Sequence, residues 1–130
     1  MTRWGETWAT RSWRCCEEVI RSGQLNRNTG TQVAALERAW AETFGVPHAT
    51  ASTSGTAAIH VALGALPLDP GDEVITTPIT DWGIVGPILA QGCVPVFADV
   101  LPDTYGLDPE LVARKVAGRT RAVVAVHLLG

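Results

Sequence analysis

The sequence contains very little lysine and no uninterrupted hydrophobic run. Lysine occurs once, at Lys115, whereas the other nine of the ten basic residues are arginines. The formal net charge is −3, and the basic residues form no single patch, which argues against a nucleic-acid partner. The most hydrophobic stretch is interrupted by Gly86, Pro87, Gly92 and Pro95. We therefore expect no membrane-spanning segment.

Cysteine is also scarce, and its spacing is not that of a metal site or a disulfide framework. Cys15, Cys16 and Cys93 are odd in number and contain no Cys-x-x-Cys pair. Together with the three histidines they show no metal-ligand spacing, so we predict no metal. The residues after Met1 lack the apolar run of a secretory signal peptide. These absences favour a reduced, cytoplasmic protein.

Apolar strands alternate with single helices along most of the chain. Strand patterns occupy residues 73–77, 94–98 and 121–126, and helical patterns occupy residues 6–21, 32–44, 56–66, 82–91 and 108–117. Alternation of this kind is typical of an α/β fold, with a mostly parallel sheet covered by helices on both faces. Pro87 weakens the prediction of a helix at residues 82–91. The last residues, 124–130, run from a strand towards the sheet edge where such folds bind ligands, so we expect the chain to be a fragment.

The turn formed by Ser54, Gly55 and Thr56 opens directly into an apolar helix. The first N–H groups of a helix have no partner within it, and the helix dipole favours a bound anion there. A phosphate group fits such a position. The alternative is an ordinary Ser/Thr N-cap without a ligand, which is the simpler interpretation of the turn taken alone.

Six motifs in a consistent order resemble the pyridoxal phosphate (PLP)-dependent sugar aminotransferases of the DegT/StrS type. They are residues 36–41 with 44–46, residues 53–58, residues 70–75, residues 95–100, residues 102–105 with 107–109, and residues 126–130. The resemblance covers about three quarters of the chain. It implies the N-terminal part of the PLP-transferase large domain, of the aspartate-aminotransferase type. We accordingly divide the chain into an N-terminal helical segment with its loop, residues 1–29, and an incomplete PLP-binding domain, residues 30–130.

The resemblance also implies roles for individual residues. In the family, the turn that matches Ser54, Gly55 and Thr56 binds the phosphate of PLP. An aromatic ring stacks on the cofactor shortly after the strand at residues 73–77, but alignment back from residues 95–97 places Asp81 there and Trp82 next to it. Either Trp82 stacks on the ring after a one-residue shift, or Asp81 occupies the position and stacking is lost.

Two groups that the family needs for catalysis have no counterpart before Gly130. These are the aspartate that pairs with the pyridine nitrogen and the lysine that forms the Schiff base. Lys115 is interpreted as a cation in the last turn of a helix and not as a substitute. The chain alone is therefore expected to be inactive, although the parent protein would be a transaminase.

The implied activity is transfer of an amino group from glutamate or glutamine to a keto-sugar or keto-cyclitol, in amino-sugar biosynthesis, by a protein that is a homodimer when complete. The alternative is a non-catalytic remnant or interaction module that retains a phosphate-binding helix N-terminus. His60, one turn after Thr56, and His127, after the last strand, are weaker candidates for the site.

Overall fold

The computed structural model describes the backbone of residues 3–128 and the side chains of residues 9–128. The chain divides into two compact units, Met1–Ala51 and Ser52–Gly130. The sequence analysis assigned residues 30–51 to the cofactor-binding domain. That grouping remains a prediction, because the compactness of a unit does not say which residues serve a site. In the described part of the chain, no helix combines the length and the apolarity that a bilayer crossing requires.

The first unit contains two helices, α1 at Arg3–Ser22 and α2 at Gln32–Phe44. Gly45 ends α2 with a left-handed φ of 63°, a conformation that glycine adopts without steric cost. Glu37 joins the segments on either side of α2. Its Oε1 lies 2.9 Å from Nη2 of Arg27 and accepts a hydrogen bond from the N–H of Ala51 at 2.8 Å. The two helices predicted for this part of the chain, at residues 6–21 and 32–44, are confirmed.

The second unit alternates helices and strands. Its elements are α3 at Gly55–Gly64, β1 at Glu73–Thr76, α4 at Trp82–Ala90, β2 at Val94–Phe97, α5 at Pro109–Lys115 and β3 at Thr120–Val123. The three strands form one parallel sheet in the order β2-β1-β3. The predicted α/β class is confirmed, and α4 forms despite Pro87.

The core of this unit lies where α3 and α4 meet the central strand. Val74 and Ile75 of β1 and Ile88 of α4 are completely buried, and Leu63 of α3 is nearly so. Burial of one branched aliphatic side chain contributes about 1.5–3 kcal/mol. This packing explains why α4 is helical although it contains a proline, since tertiary contacts override a weak intrinsic propensity.

The strand β3 ends at Val123, three residues before the predicted end at Val126. The pairing continues for one more bond, because the N–H of Val124 donates to the carbonyl of Ile75 at 2.8 Å. The Thr76 hydroxyl then donates to the carbonyl of Val124 at 2.9 Å. A buried side chain thus satisfies the carbonyl at the point where the ladder stops.

The strand order creates a topological switch point at the carboxyl end of β1. The chain leaves β1 towards β2 on one side and later returns to β3 on the other. In open parallel sheets, ligands bind where the direction of winding changes, outside the carboxyl ends of the strands. The loop at residues 77–81, which leads into α4, lies at this point.

Candidate functional site

The N-terminus of α3 presents two backbone donors that the described residues do not use. Ser54 caps the helix from an extended conformation, and its Oγ accepts a hydrogen bond from the N–H of Ala57 at 3.1 Å. The N–H of Ala58 donates to the carbonyl of Ser54 at 2.9 Å. Within residues 3–128 the N–H groups of Gly55 and Thr56 have no acceptor. The turn is therefore a helix cap that also leaves two donors facing solvent.

Gly55 is not required by the backbone of this turn. Its φ lies outside the left-handed region, and a Cβ built on it would have no atom within 4 Å among the described neighbours. Glycine in an ordinary helical conformation is less favourable than alanine by up to about 1 kcal/mol. What it provides is access, because a missing side chain lets a ligand approach the backbone N–H groups closely.

Asp81 caps the second helix of the site. Its Oδ1 accepts a hydrogen bond from the N–H of Gly83 at 2.6 Å, which satisfies one of the free donors at the start of α4. Carboxylate caps of this kind are favoured by the positive end of the helix dipole.

Gly83 brings the two helix N-termini together. A Cβ at this position would lie 2.7 Å from Oγ1 of Thr56 and 2.7 Å from Oδ1 of Asp81. The two oxygens are therefore no further apart than twice that distance. A Cβ here would force one of these two side-chain oxygens to move, so glycine lets the Thr56 hydroxyl on α3 and the Asp81 carboxylate at the N-cap of α4 lie on either side of it.

Trp82 takes a different position. Its side chain is 70% exposed, and its indole lies along α4, with Nε1 2.8 Å from where a Cβ of Gly86 would be. The structure thus places Asp81 beside Thr56 and lays the Trp82 ring on its own helix, one turn further on. Glycine at position 86 provides the space for that ring.

The other candidate side chains stay apart from this site or are exposed without a partner. Lys115 is the last residue of α5 and is exposed. The His60 and His127 side chains are exposed, and neither makes a hydrogen bond to another described residue. Sequence reasoning missed Gly83 and Gly86. The available signal was two glycines three residues apart in a nine-residue helix, where each is costly unless close packing requires it.

Comparison with known proteins identifies what this arrangement is similar to. A family profile described as the DegT/DnrJ/EryC1/StrS aminotransferase family matches residues 9–130. The spore coat polysaccharide biosynthesis protein SpsC of Bacillus subtilis is 42% identical over 113 residues, which is 87% of this chain and 28% of SpsC. The chain thus spans little more than a quarter of the length of this curated relative.

Solved structures agree with the sequence match. An aminotransferase from Psychrobacter cryohalolentis superposes with a TM-score of 0.82 at 38% identity, over 88% of this chain and 29% of that one. NtdA from Bacillus subtilis, solved with its cofactor PMP, superposes with a TM-score of 0.73 at 32% identity, over 76% of this chain and 23% of that one. Members of the matched family depend on PLP.

Proposed function

Because the chain belongs to the DegT/DnrJ/EryC1/StrS aminotransferase family, we propose that it forms the N-terminal portion of a PLP-dependent sugar aminotransferase. The proposed reaction moves an amino group from glutamate or glutamine to a keto-sugar or keto-cyclitol in amino-sugar biosynthesis. The name of SpsC, which refers to polysaccharide biosynthesis, supports sugar chemistry.

The observation that carries the proposal is the open first turn of α3. Among the described residues, the N–H groups of Gly55 and Thr56 have no acceptor, and a Cβ built on Gly55 would have no neighbouring atom within 4 Å. A phosphate needs several converging donors and close approach to the backbone. These residues fit that group, and they do so without any rearrangement of the cap that Ser54 already makes.

Each residue of the turn has a defined part in this proposal. Gly55 and Thr56 donate backbone N–H groups to phosphate oxygens, and the Thr56 hydroxyl donates a further hydrogen bond. The Ser54 Oγ already accepts from Ala57, and its own proton remains available for donation to the phosphate. Bound PLP supplies the electron sink for amino-group transfer, while the chain holds the cofactor in place. Asp81 and Trp82 extend the proposed cofactor site at the start of α4.

We also propose a homodimer in the cytoplasm. Neither α3 nor α4 contains a lysine, arginine, aspartate or glutamate, yet Val61, Trp82 and Leu89 are 53%, 70% and 47% exposed. An uncharged helix that exposes large apolar side chains is typical of one that a partner covers, and an exposed apolar patch is typical of an association surface. The free state of Cys15, Cys16 and Cys93 supports a reducing compartment.

The substitution Thr56→Val tests the assignment of the phosphate site. It preserves side-chain shape and deletes a hydroxyl, and a hydrogen bond to a charged group is worth about 1.5–3 kcal/mol. In the complete gene product we expect PLP affinity, measured by fluorescence titration, to fall about tenfold to a hundredfold. Unfolding of the apoprotein should hardly change, because Thr56 is exposed and its hydroxyl has no hydrogen-bond partner among the described residues.

Thr53→Val is the matched control. It makes the same chemical change on an exposed threonine outside the turn, and PLP affinity should stay at the parent value. Equal affinity in the Thr56→Val variant and the parent would reduce the turn to a plain helix cap. A large loss of apoprotein stability would instead mean that the hydroxyl serves the fold.

A further inference from the structure

The Asp81 carboxylate lies near the Thr56 hydroxyl, which the proposed function assigns to the cofactor phosphate. Its Oδ1 and the Thr56 Oγ1 lie at equal distances, 2.7 Å, from the Cβ position of Gly83. The N–H of Gly83 donates to Asp81 Oδ1 at 2.6 Å, which orients the carboxylate as the N-cap of α4.

No cation on either helix offsets this carboxylate. The residues of α3 and α4 include no lysine or arginine, and the titratable side chain that they do carry, His60, lies one turn into α3. The compensation available within this helix pair is the N-terminal dipole of α4, which amounts to about half an elementary charge. A phosphate bound at the α3 turn would therefore have a fixed negative charge as its neighbour.

We propose that Asp81 tunes the affinity of the Ser54–Thr56 turn for the cofactor phosphate by electrostatic repulsion, so that the cofactor binds more weakly and exchanges more readily than the turn alone would allow. This inference rests on the proposed function of the turn. Asp81 acts here as an affinity-setting residue: it caps α4 with one oxygen and places its charge beside the Thr56 hydroxyl. The ring of Trp82, laid along α4, leaves that position to the carboxylate.

The substitution Asp81→Asn separates the charge from the cap. Asparagine is as good an N-cap as aspartate, and its side-chain oxygen can still accept from the N–H of Gly83. In the complete gene product we expect PLP to bind about two- to tenfold more tightly at low salt, because removing a like charge near the phosphate in an exposed site relieves a modest repulsion. The gain should shrink at 1 M salt, where screening is strong.

Two further variants make the outcome decisive. Asp103→Asn removes an exposed carboxylate that makes no hydrogen bond within the described residues, and it should leave PLP affinity unchanged. Thr56→Val, titrated in parallel, should weaken binding.

The inference is wrong if Asp81→Asn leaves PLP affinity unchanged or lowers it, or if its gain is the same at low and at high salt. If Thr56→Val still weakens binding in that case, the proposed phosphate site stands and the role of Asp81 alone is overturned. If Thr56→Val has no effect, or the parent binds no PLP, the proposed site and this inference both fail.

Discussion

At the scale of single residues, the site depends on the absence of a side chain at Gly55. A methyl group there would enter open space, since a Cβ would contact nothing within 4 Å among the described residues. The change Gly55→Ala should therefore leave the apoprotein as stable as the parent, or more stable by about 0.4–1 kcal/mol, because alanine restricts the unfolded chain. PLP affinity should fall about tenfold or more, because the methyl group obstructs hydrogen bonds to a charged ligand.

The chain offers a matched control for this prediction. Gly118 is also outside the left-handed region, and a Cβ there also has nothing within 4 Å. Gly118→Ala should have a similarly small effect on thermal unfolding and none on PLP titration. If Gly55→Ala binds PLP as well as the parent does, no ligand approaches the backbone at the start of α3.

At the same scale, the helix caps of the site can be predicted from local sequence, whereas the proximity of the two caps cannot. The caps made by Ser54 and Asp81 depend on chemistry within three residues, so their positions can be read locally. The close approach of Thr56 to Gly83 joins residues on two different helices. No local pattern encodes that distance, so the meeting of the two caps became visible only in the folded chain.

At the scale of elements, α4 is the segment whose type was hardest to predict. Its nine residues contain Pro87, two glycines and no charged side chain, so no amphipathic stripe distinguishes helix from strand. The decision is made by packing, because Pro87 and Ile88 are buried and Ile88 belongs to the core cluster with Leu63 of α3 and Val74 of β1. The helix α2 was predictable for the opposite reason, since a regular apolar spacing and a terminal glycine are both local signals.

Cys93, in the turn between α4 and β2, should be protected from alkylation. Cys93 is 3% exposed, and burial, together with the nearby charge of Asp72, raises the pKa of its thiol. Because the thiolate is the reactive form, each unit of pKa slows reaction about tenfold. We expect peptide-resolved alkylation at pH 8 to label Cys15 and Cys16, which are exposed, well before Cys93.

Alkaline pH provides the check on this explanation. A thiol whose pKa is raised by folding stabilises the protein below its unfolded pKa, and this contribution is lost as the pH rises through the folded pKa. The labelling rate of Cys93 should therefore rise more steeply with pH than the labelling rates of the exposed Cys15 and Cys16. Equal rates for all three at pH 8 would show that the α4–β2 turn opens freely in solution.

At the scale of the whole molecule, the fold class followed from the alternation of strands and helices, whereas the boundary between the two compact units carries no comparable signal. Alternation predicts parallel strands because each return to the sheet needs a crossover, and the parallel pairing of β1 with both β2 and β3 confirms this. The boundary between Ala51 and Ser52 lies in the segment between α2 and α3, shortly before the Ser54 cap. Composition does not change there, so no linker signal marked it.

The proposed homodimer is tested on the uncharged outer side of α3 and α4. A lysine placed on an apolar association surface must lose its hydration or prevent contact, so Val61→Lys and Leu89→Lys should each shift the complete gene product from dimer towards monomer. Sedimentation velocity at micromolar concentration measures this shift. Circular dichroism should show an unchanged fold, since both side chains are about half exposed and outside the buried core.

Val116→Lys is the matched control for these two substitutions. Val116 is 58% exposed but follows α5, away from the uncharged helix pair in sequence, so its substitution should leave the dimer intact. A parent protein that sediments as a monomer would contradict the proposal outright. A dimer that tolerates lysine at both Val61 and Leu89 would place the interface elsewhere, and the apolar outer faces of α3 and α4 would then need a different explanation.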